Sequence, residues 1–265
     1  MKKRIAIGIS YDGAGYHGWQ RQDNQPELAT VQYYVERALS FVANHDVEVV
    51  CAGRTDARVH AVGQVIHFET SSQRSEYSWV FGANSNLPPS INAAWAREVP
   101  LEFHARFKAE AREYRYIIYN HDIRPAILRD AVTWVRNPLD ISLMKLAARY
   151  LLGEHDFSSF RGADCQAKSA IREVQSLEIT QKGRMILIDI RANAFLLHMV
   201  RNIVGVLIPI GQGVQPPGWA KEVLNACQRS AGGVTAAPNG LYLTSVLYPE
   251  QFDLPKNFNI PFFLL

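Results

Sequence analysis

The chain has 265 residues, of which 48% are hydrophobic and 20% charged, and its formal net charge is +3. This composition is typical of a soluble globular protein with one large or two ordinary domains, and the mildly basic balance permits a nucleic-acid partner without requiring one. The three cysteines, Cys51, Cys165 and Cys227, are scattered and odd in number, which argues against a disulfide framework and a zinc site.

Targeting and membrane signals are also missing from the sequence. No apolar run approaches the roughly 18 residues that a membrane-spanning helix needs. The basic start, Met1 to Arg4, passes directly into a strand pattern that alternates in polarity, and it lacks the apolar stretch of a signal peptide. The eight histidines show no pair at metal-ligand spacing. We therefore expect a reduced, cytoplasmic protein.

The first half of the chain is predicted to follow the order β-α-β-β-α-β. After a long loop over residues 13–26, Thr30 is a good N-cap, and apolar residues then recur at helical spacing. The predicted strands are residues 4–11, 46–51, 65–69 and 91–98, and the predicted helices are 30–43 and 75–84. This order is that of a split β-α-β arrangement.

The second half repeats this order of elements with one extra helix. The predicted strands are residues 113–120, 172–181, 184–192 and 241–248, and the predicted helices are 139–152, 197–210 and 219–227. The boundary between the halves is predicted near residues 100–111. We expect the apolar tail over 260–265 to pack either on the body of the protein or on a partner.

The segment over residues 52–61, Ala-Gly-Arg-Thr-Asp-Ala-Arg-Val-His-Ala, is the first candidate site. It places Asp56 between Arg54 and Arg58, and nearby positive charge favours the charged form of a carboxylate. Asp56 is therefore available either as an ion-pair partner or as a nucleophile. On this pattern alone a solvated surface cluster is the commoner case. Thr55 could hold the turn through its hydroxyl.

Motifs for nucleotide phosphates, dinucleotides, zinc proteases and serine hydrolases do not occur, which leaves a carboxylate, arginines and aromatics as candidates. Strand alternation would place Tyr114 and Tyr116 on one face and Arg115 on the other. An exposed aromatic face is how many modules stack single-stranded RNA bases. A core strand with solvent-reaching arginines explains the pattern equally well.

Residues 195–207 predict an apolar helix that contains a single cation, Arg201. A buried, unpaired charge is very costly, so Arg201 needs a carboxylate from elsewhere in the chain. Asp56 is the obvious candidate, because its own segment calls for a role and belongs to the other half. His198, in the same segment, is expected to be a satisfied core or interface histidine rather than a ligand.

Four ordered motifs carry a resemblance to a known family. They are G-R-T-D-A-x-V-H-A at 53–61, R-x-Y-R-Y at 112–116, F-x-x-H-M-V-R-N at 195–202 and G-L-Y-L at 240–243. With these motifs the chain resembles the tRNA pseudouridine synthase A (TruA) family, and the likeness extends from about residue 5 to residue 249. Several motifs at matching separations make the resemblance highly specific.

The resemblance implies an α+β fold of two ferredoxin-like halves, residues 1–104 and 105–265, whose antiparallel sheets flank a central catalytic cleft. It implies a homodimer that binds the anticodon stem-loop of tRNA and needs no metal or cofactor. The implied activity is conversion of uridine to pseudouridine at tRNA positions 38, 39 and 40.

Position by position, the resemblance also implies residue roles. Asp56 matches the catalytic aspartate, and Arg201 the arginine that pairs with it. Tyr114 matches the tyrosine that stacks on the target base, Arg54 the arginine that holds the flipped nucleotide, and Leu241 an aliphatic residue of the base pocket.

Two positions depart from the family pattern. Arg58 stands where the family has a glycine, so a positive φ there would strain this residue. Leu197 replaces the first histidine of a pair. Candidates for a phosphate track, which would make RNA binding fall with salt, are Lys108, Arg112, Arg115, Arg161, Lys168 and Arg172.

Two other classes of function stay open from the residues alone. One is an RNA-binding module of two ferredoxin-like sheets without catalysis, which would bind tRNA but leave its nucleosides unchanged. The other is a carboxylate-nucleophile enzyme of small molecules. The apolar helix around Arg201 favours an enzyme, because a binding module has little reason to bury an arginine that needs a carboxylate partner.

Overall fold

The computed structural model of the protein describes residues 2–22, 25 and 28–255. The chain divides into two compact units, one of residues up to Glu110 and from Tyr242, the other Ala111–Leu241. This division places Tyr242 with the first unit, and the domain boundary at 104/105 stays a prediction. The apolar tail over 260–265 lies outside the described residues.

Ten strands and five α-helices form the described part of the chain. In chain order they are β1 (Lys3–Tyr11), α1 (Val31–Ala43), β2 (Val50–Cys51), β3 (His60–Thr70), α2 (Glu76–Asn84), β4 (Ile91–Val99), β5 (Ala111–Asn120), β6 (Thr133–Val135), α3 (Ile141–Ala148), β7 (Gly153–Asp156), β8 (Ile171–Lys182), β9 (Met185–Ala192), α4 (Met199–Gly211), α5 (Trp219–Ala226) and β10 (Leu241–Leu247). The predicted α+β class with mostly antiparallel strands is confirmed.

The sheet of the first unit has β1 at its centre, between β4 and β3, and both pairings are antiparallel. The short strand β2 pairs antiparallel with β3. Along β1, Ile5, Ala6 and Ile7 are all buried, so both faces of this strand are covered. Continuous burial, rather than alternation, is expected of a strand with both faces covered.

Helix α1 buries one stripe of apolar residues, which includes Val35, Leu39 and Val42, as its periodicity predicted. Thr30 occupies the predicted N-cap position, but its side chain makes no capping hydrogen bond and its buried Oγ1 has no partner in the described part of the chain. Helix α2 is capped in the ordinary way, since Ser75 Oγ accepts from the Ser78 amide at 3.1 Å.

The strand predicted over 46–51 is shortened to β2, because its lead-in is bonded to a helix side chain instead of the sheet. Val49 N donates to Oε1 of the buried Glu36 on α1 at 3.1 Å. In contrast, β3 begins at His60, earlier than predicted. Strand β10 pairs parallel with this early part of β3, through Tyr242 opposite His60 and Leu243 opposite Ala61.

The second unit has an antiparallel sheet in the order β5-β9-β8-β7, and β6 pairs parallel with β5. Helix α4 is its most deeply buried helix, and Ile203, Val204 and Leu207 have no exposed surface. Gly205 lets the backbone of α4 approach a following segment closely, because a Cβ at that position would lie 2.0 Å from Val234 O. Among the described helices, none is both long and apolar enough to span a bilayer.

A buried histidine in the first unit predicts how stability depends on pH. His67 is 5% exposed, its Nδ1 accepts from Ala105 N at 3.1 Å, and its ring lies 4.8 Å from that of His104. Burial, helped by the positive charges of His104 and Arg4 and opposed by Glu69, lowers the pKa of His67 to about 4. The folded protein therefore holds this imidazole in its neutral form.

We expect the free energy of unfolding to fall as pH decreases from about 6.5 to 4, by up to about 3 kcal/mol from His67. The sign follows because the unfolded chain binds a proton at His67 near pH 6.5, whereas the folded chain resists it until about pH 4. Urea unfolding across this range measures the loss. The variant His67→Asn keeps an acceptor near the Nδ1 position. In this variant the free energy of unfolding should fall by about 3 kcal/mol less between pH 6.5 and 4. An unchanged pH dependence would contradict the assignment to His67.

Candidate active site

Asp56 lies in the segment that connects β2 to β3. The carboxylate residue is half-buried, the preceding Thr55 is buried, and Arg54 and Arg58 are exposed. A tight turn follows, because Val59 N donates to Asp56 O at 3.2 Å. The segment is therefore an ordered connection with its carboxylate at the boundary between core and solvent.

The last residue of β1 and the loop that follows it fix the Asp56 segment from several sides. Thr55 Oγ1 and the Tyr11 hydroxyl are 2.7 Å apart, so the Thr55 hydroxyl holds the segment against the end of β1. Trp19 N donates to Thr55 O at 3.0 Å, and Arg58 N donates to Tyr16 O at 3.1 Å. These bonds constrain the backbone on both sides of Asp56.

Gly18 allows the loop after β1 to lie close against the Asp56 segment. Its φ is +92°, and a Cβ there would lie 2.8 Å from Thr55 O. A side chain at this position would be strained in conformation and would also press on the segment. The long loop predicted around residues 13–26 therefore has a definite purpose in its described part, which is to support Asp56.

His60, which received no role in the sequence analysis, connects the same loop to β3. Its buried Nδ1 lies 3.0 Å from Gly13 N and 3.0 Å from Asp12 Oδ1, and its ring stacks on Tyr242 at 4.6 Å. One ring nitrogen cannot accept from Gly13 and donate to Asp12 at once, so these contacts belong to different tautomers. The His60 hydrogen bond lowers the pKa of Asp12, and burial raises that of Tyr242.

Arg58 adopts the left-handed backbone conformation, with a φ of 66°. The departure from the family pattern therefore falls at a position where glycine is favoured, and an L-residue is strained there. The turn keeps this conformation because Arg58 N and Val59 N are both bonded, to Tyr16 O and Asp56 O.

This strain predicts that Arg58→Gly is more stable than Arg58→Ala by about 1 kcal/mol, or roughly 2–4 °C in Tm. Both variants lack the Arg58 side chain and its interactions, so their difference isolates the backbone term. Thermal unfolding measures it. Equal melting temperatures would mean that the turn relaxes to negative φ when the side chain is removed.

In the second unit, β5 is a core strand rather than an exposed aromatic platform. Tyr116 has no exposed surface, and Tyr114 is 8% exposed with its ring edge-on to Phe195 at 5.0 Å. Arg115 forms two bonds to Asp189, at 2.6 and 3.0 Å, on the opposite face. The predicted alternation is confirmed, and the face that carries Tyr114 and Tyr116 is buried; the stacking role of Tyr114 stays a prediction.

Arg201 lies in the first turn of α4 and is half-buried. Its Nε donates to Ala236 O at 2.8 Å, and Ala236 N donates back to Arg201 O at 3.1 Å. The Tyr116 hydroxyl lies 2.6 Å from Thr133 Oγ1 and 2.7 Å from Ala237 O. Burial raises the pKa of Tyr116, and the charge of Arg201 opposes this effect. The guanidinium is thus fixed through its Nε.

The remaining predicted site residues have defined places within their own units. Leu241 is buried at the start of β10, and its amide donates to Pro238 O at 2.9 Å. His198 precedes α4 with a φ of 62° and accepts from Asn202 N at 2.9 Å. Asp56 and Arg54 belong to the first unit, whereas Tyr114 and Arg201 belong to the second. The pairing of Asp56 with Arg201 stays a prediction.

The phosphate track stays a prediction. Four of its six candidates donate hydrogen bonds within the protein: Arg112 to Asn193 O, Arg115 to Asp189, Arg161 to Cys165 O and Ala167 O, and Arg172 to Ser169 O and Ile171 O. Lys108 and Lys168 are exposed.

No three His, Cys, Asp or Glu side chains within residues 2–22, 25 and 28–255 are grouped as metal ligands would be.

Comparison with known proteins shows to which family the chain belongs. A family model described as tRNA pseudouridine synthase matches residues 7–108 and 147–249. A tRNA pseudouridine synthase A of Coxiella burnetii (strain Dugway 5J108-111) is 59% identical over 98% of this chain and 99% of its own length. Its namesake in Pseudomonas aeruginosa is 56% identical, over 98% of this chain and 91% of its own. The chain belongs to the tRNA pseudouridine synthase family and is therefore an isomerase.

Proposed function

We propose that this protein converts uridine to pseudouridine at positions 38, 39 and 40, in the anticodon stem-loop of tRNA. The observation that carries the proposal is the ordered Asp56 segment in a chain that shares 59% identity over 98% of its length with a tRNA pseudouridine synthase A. Within this segment, Thr55 is held by the Tyr11 hydroxyl, 2.7 Å from its Oγ1, so the neighbouring carboxylate is presented from a fixed backbone.

The reaction moves the ribose bond from N1 to C5 of the same uracil. It requires cleavage of the glycosidic bond, rotation of the base and formation of the bond to C5, with loss of the C5 proton and gain of a proton at N1. A carboxylate can serve as nucleophile or stabilise positive charge as the bond breaks. We assign this role to Asp56, and we assign to Arg201 the pairing that keeps the carboxylate ionised and oriented.

A uridine within a stem is out of reach of any side chain, so the target nucleotide must be flipped out. Arg54 is exposed beside Asp56 and has the charge and length to hold the flipped nucleotide. We assign stacking on the base to Tyr114, whose ring is set by Phe195, and an apolar wall of the base pocket to Leu241.

The finer architecture and the assembly belong to the same proposal. Two ferredoxin-like halves are supported in the first unit by the element order β1-α1-β2-β3-α2-β4, in which β4 and β3 flank β1 and β2 pairs with β3. In the sheet of the second unit, the strands lie side by side in the order β5-β9-β8-β7. We further propose that the protein acts as a homodimer in the cytoplasm.

Tritium release from uridine C5 in unmodified tRNA tests the activity, and nucleoside mapping of the product tests the positions. We expect release in proportion to enzyme turnover and pseudouridine at 38, 39 and 40, together with its loss from tRNA of a strain that lacks the protein. Binding of tRNA without release would instead identify a non-catalytic RNA-binding module. Turnover of free nucleosides without tRNA affinity would identify a small-molecule enzyme.

A further inference from the structure

Gln64 on β3 makes one partly buried hydrogen bond to the segment that carries Asp56. It has no exposed surface, and its Nε2 donates to Gly53 O at 2.6 Å. On β3 it lies opposite Ile9 of β1. The buried side-chain amide of Gln64 therefore restrains the backbone at Gly53, three residues before Asp56.

This bond restrains the segment between two other fixed points. Trp19 N holds the Thr55 carbonyl and the Tyr11 hydroxyl holds Thr55 Oγ1, and Ala52 N donates to Val65 O at 2.8 Å. The Gly53 carbonyl lies between these two points. With Gln64 bonded to it, the peptide that leads into Arg54 cannot rotate, because its oxygen must stay directed toward β3.

Stability alone gives no reason for a glutamine here. Its Oε1 is buried and has no hydrogen-bond partner in the described part of the chain. An unsatisfied buried acceptor costs about as much as an average hydrogen bond contributes, so the two amide atoms of Gln64 roughly cancel in the free energy of unfolding. Gly53 is only half-buried, so its carbonyl could bind water instead.

We propose that Gln64 is a positioning residue for the reaction, which holds the Gly53 carbonyl so that Asp56 is presented in its productive geometry. The inference rests on the proposed function of Asp56. Gln64 is fully buried and therefore acts through the backbone, not on the substrate. Because small misplacements of a reacting group are costly, the effect belongs in kcat rather than in tRNA binding.

The test is Gln64→Leu, together with Gln64→Met, which keeps an unbranched side chain of similar length in case leucine packs poorly. Both remove the donor and the unsatisfied acceptor. We expect kcat for tRNA to fall about 10- to 100-fold, with KM within about twofold of the wild-type value. We expect Tm to change little, because the loss of one bond is offset by the loss of the unpaired Oε1.

Asn84, at the end of α2, is a matched control in the same unit. Both of its amide atoms are bonded, since Nδ2 donates to Ala93 O at 2.9 Å and Oδ1 accepts from Ala93 N at 2.8 Å. Asn84→Leu should therefore lower Tm clearly and leave kcat at 25 °C within about twofold. A fall in kcat at nearly constant Tm indicates a positioning residue, whereas a fall in Tm at nearly constant kcat indicates a structural one.

Two outcomes overturn the proposal: folded Gln64 variants with unchanged kcat, or variants whose kcat falls only in step with Tm, as expected for a purely structural residue. A failure of the underlying function looks different. In that case wild-type protein releases no tritium from tRNA, whereas failure of the present proposal leaves wild-type turnover intact.

Discussion

Asp56→Asn is expected to lower the rate of pseudouridine formation by about 1000-fold or more, in the range seen when a catalytic nucleophile is removed. An amide of the same shape can neither form the covalent bond nor stabilise the charge that develops as the glycosidic bond breaks. Single-turnover tritium release measures the rate, and filter binding measures tRNA affinity. Affinity should stay within about tenfold, because the substitution removes no cation from the surface that meets phosphate.

Asp46 is the matched control for this substitution. It is exposed, belongs to the same unit and lies outside the Asp56 segment. Asp46→Asn should leave the rate unchanged. If Asp56→Asn retained more than about a tenth of wild-type turnover, the nucleophile would have to be another group, although the family assignment would stand.

Arg201→Met should have the second largest effect, a fall in kcat of about 100-fold, for the loss of the guanidinium that we assign to the Asp56 carboxylate. Arg201→Lys should recover only part of this loss. Lysine is a point charge on a flexible stem, and it cannot repeat the bond from Nε to Ala236 O, 2.8 Å long, that orients the fork of the arginine. The kcat of both variants with tRNA, at saturating substrate, gives the comparison.

Arg229 provides the control, because it is also an arginine bound beside α4. Its Nη2 donates to Asn202 Oδ1 at 3.1 Å and to Thr235 Oγ1 at 2.9 Å. Arg229→Met should reduce Tm and leave kcat nearly unchanged. Equal losses of kcat in the Arg229 and Arg201 variants would show that Arg201 acts by supporting α4 rather than by pairing with Asp56.

The elements that the sequence predicted well are those with long, clear patterns. Helix α1 keeps a consistent apolar spacing along the whole of Val31–Ala43. Strand β1 was also predicted, although its continuous burial differs from the alternating pattern expected, because both of its faces are covered. The two missed strands, β6 and β7, have only three and four residues, too few to show alternation. The early part of β3 pairs with β1 through Ala61 and Gln64 and with β10 through His60 and Ala61, and such pairings between segments distant in sequence leave no local signal.

For the candidate site, the sequence identified the central residues but not the residues that hold them in place. Asp56 and Thr55 were identified from one short motif, whereas His60 stood in the same motif without a role. Gln64 could not have been singled out, because its function depends on which backbone carbonyl its amide meets at 2.6 Å. The two tyrosines of β5 were placed on one face correctly, but only the surrounding side chains decided that this face is buried.

The return of the chain to its first unit has a consequence for folding during synthesis. Domains usually fold as they leave the ribosome, the N-terminal one first. Here β3 obtains its partner β10 only after the whole of Ala111–Leu241 has been translated, and the His60 ring meets Tyr242 only then. The second unit is continuous in sequence and can therefore be completed before the first. In a nascent chain without β10, the segment that carries Asp56 leads into a strand whose pairing is incomplete, so tRNA modification should be confined to chains that have passed this point of translation.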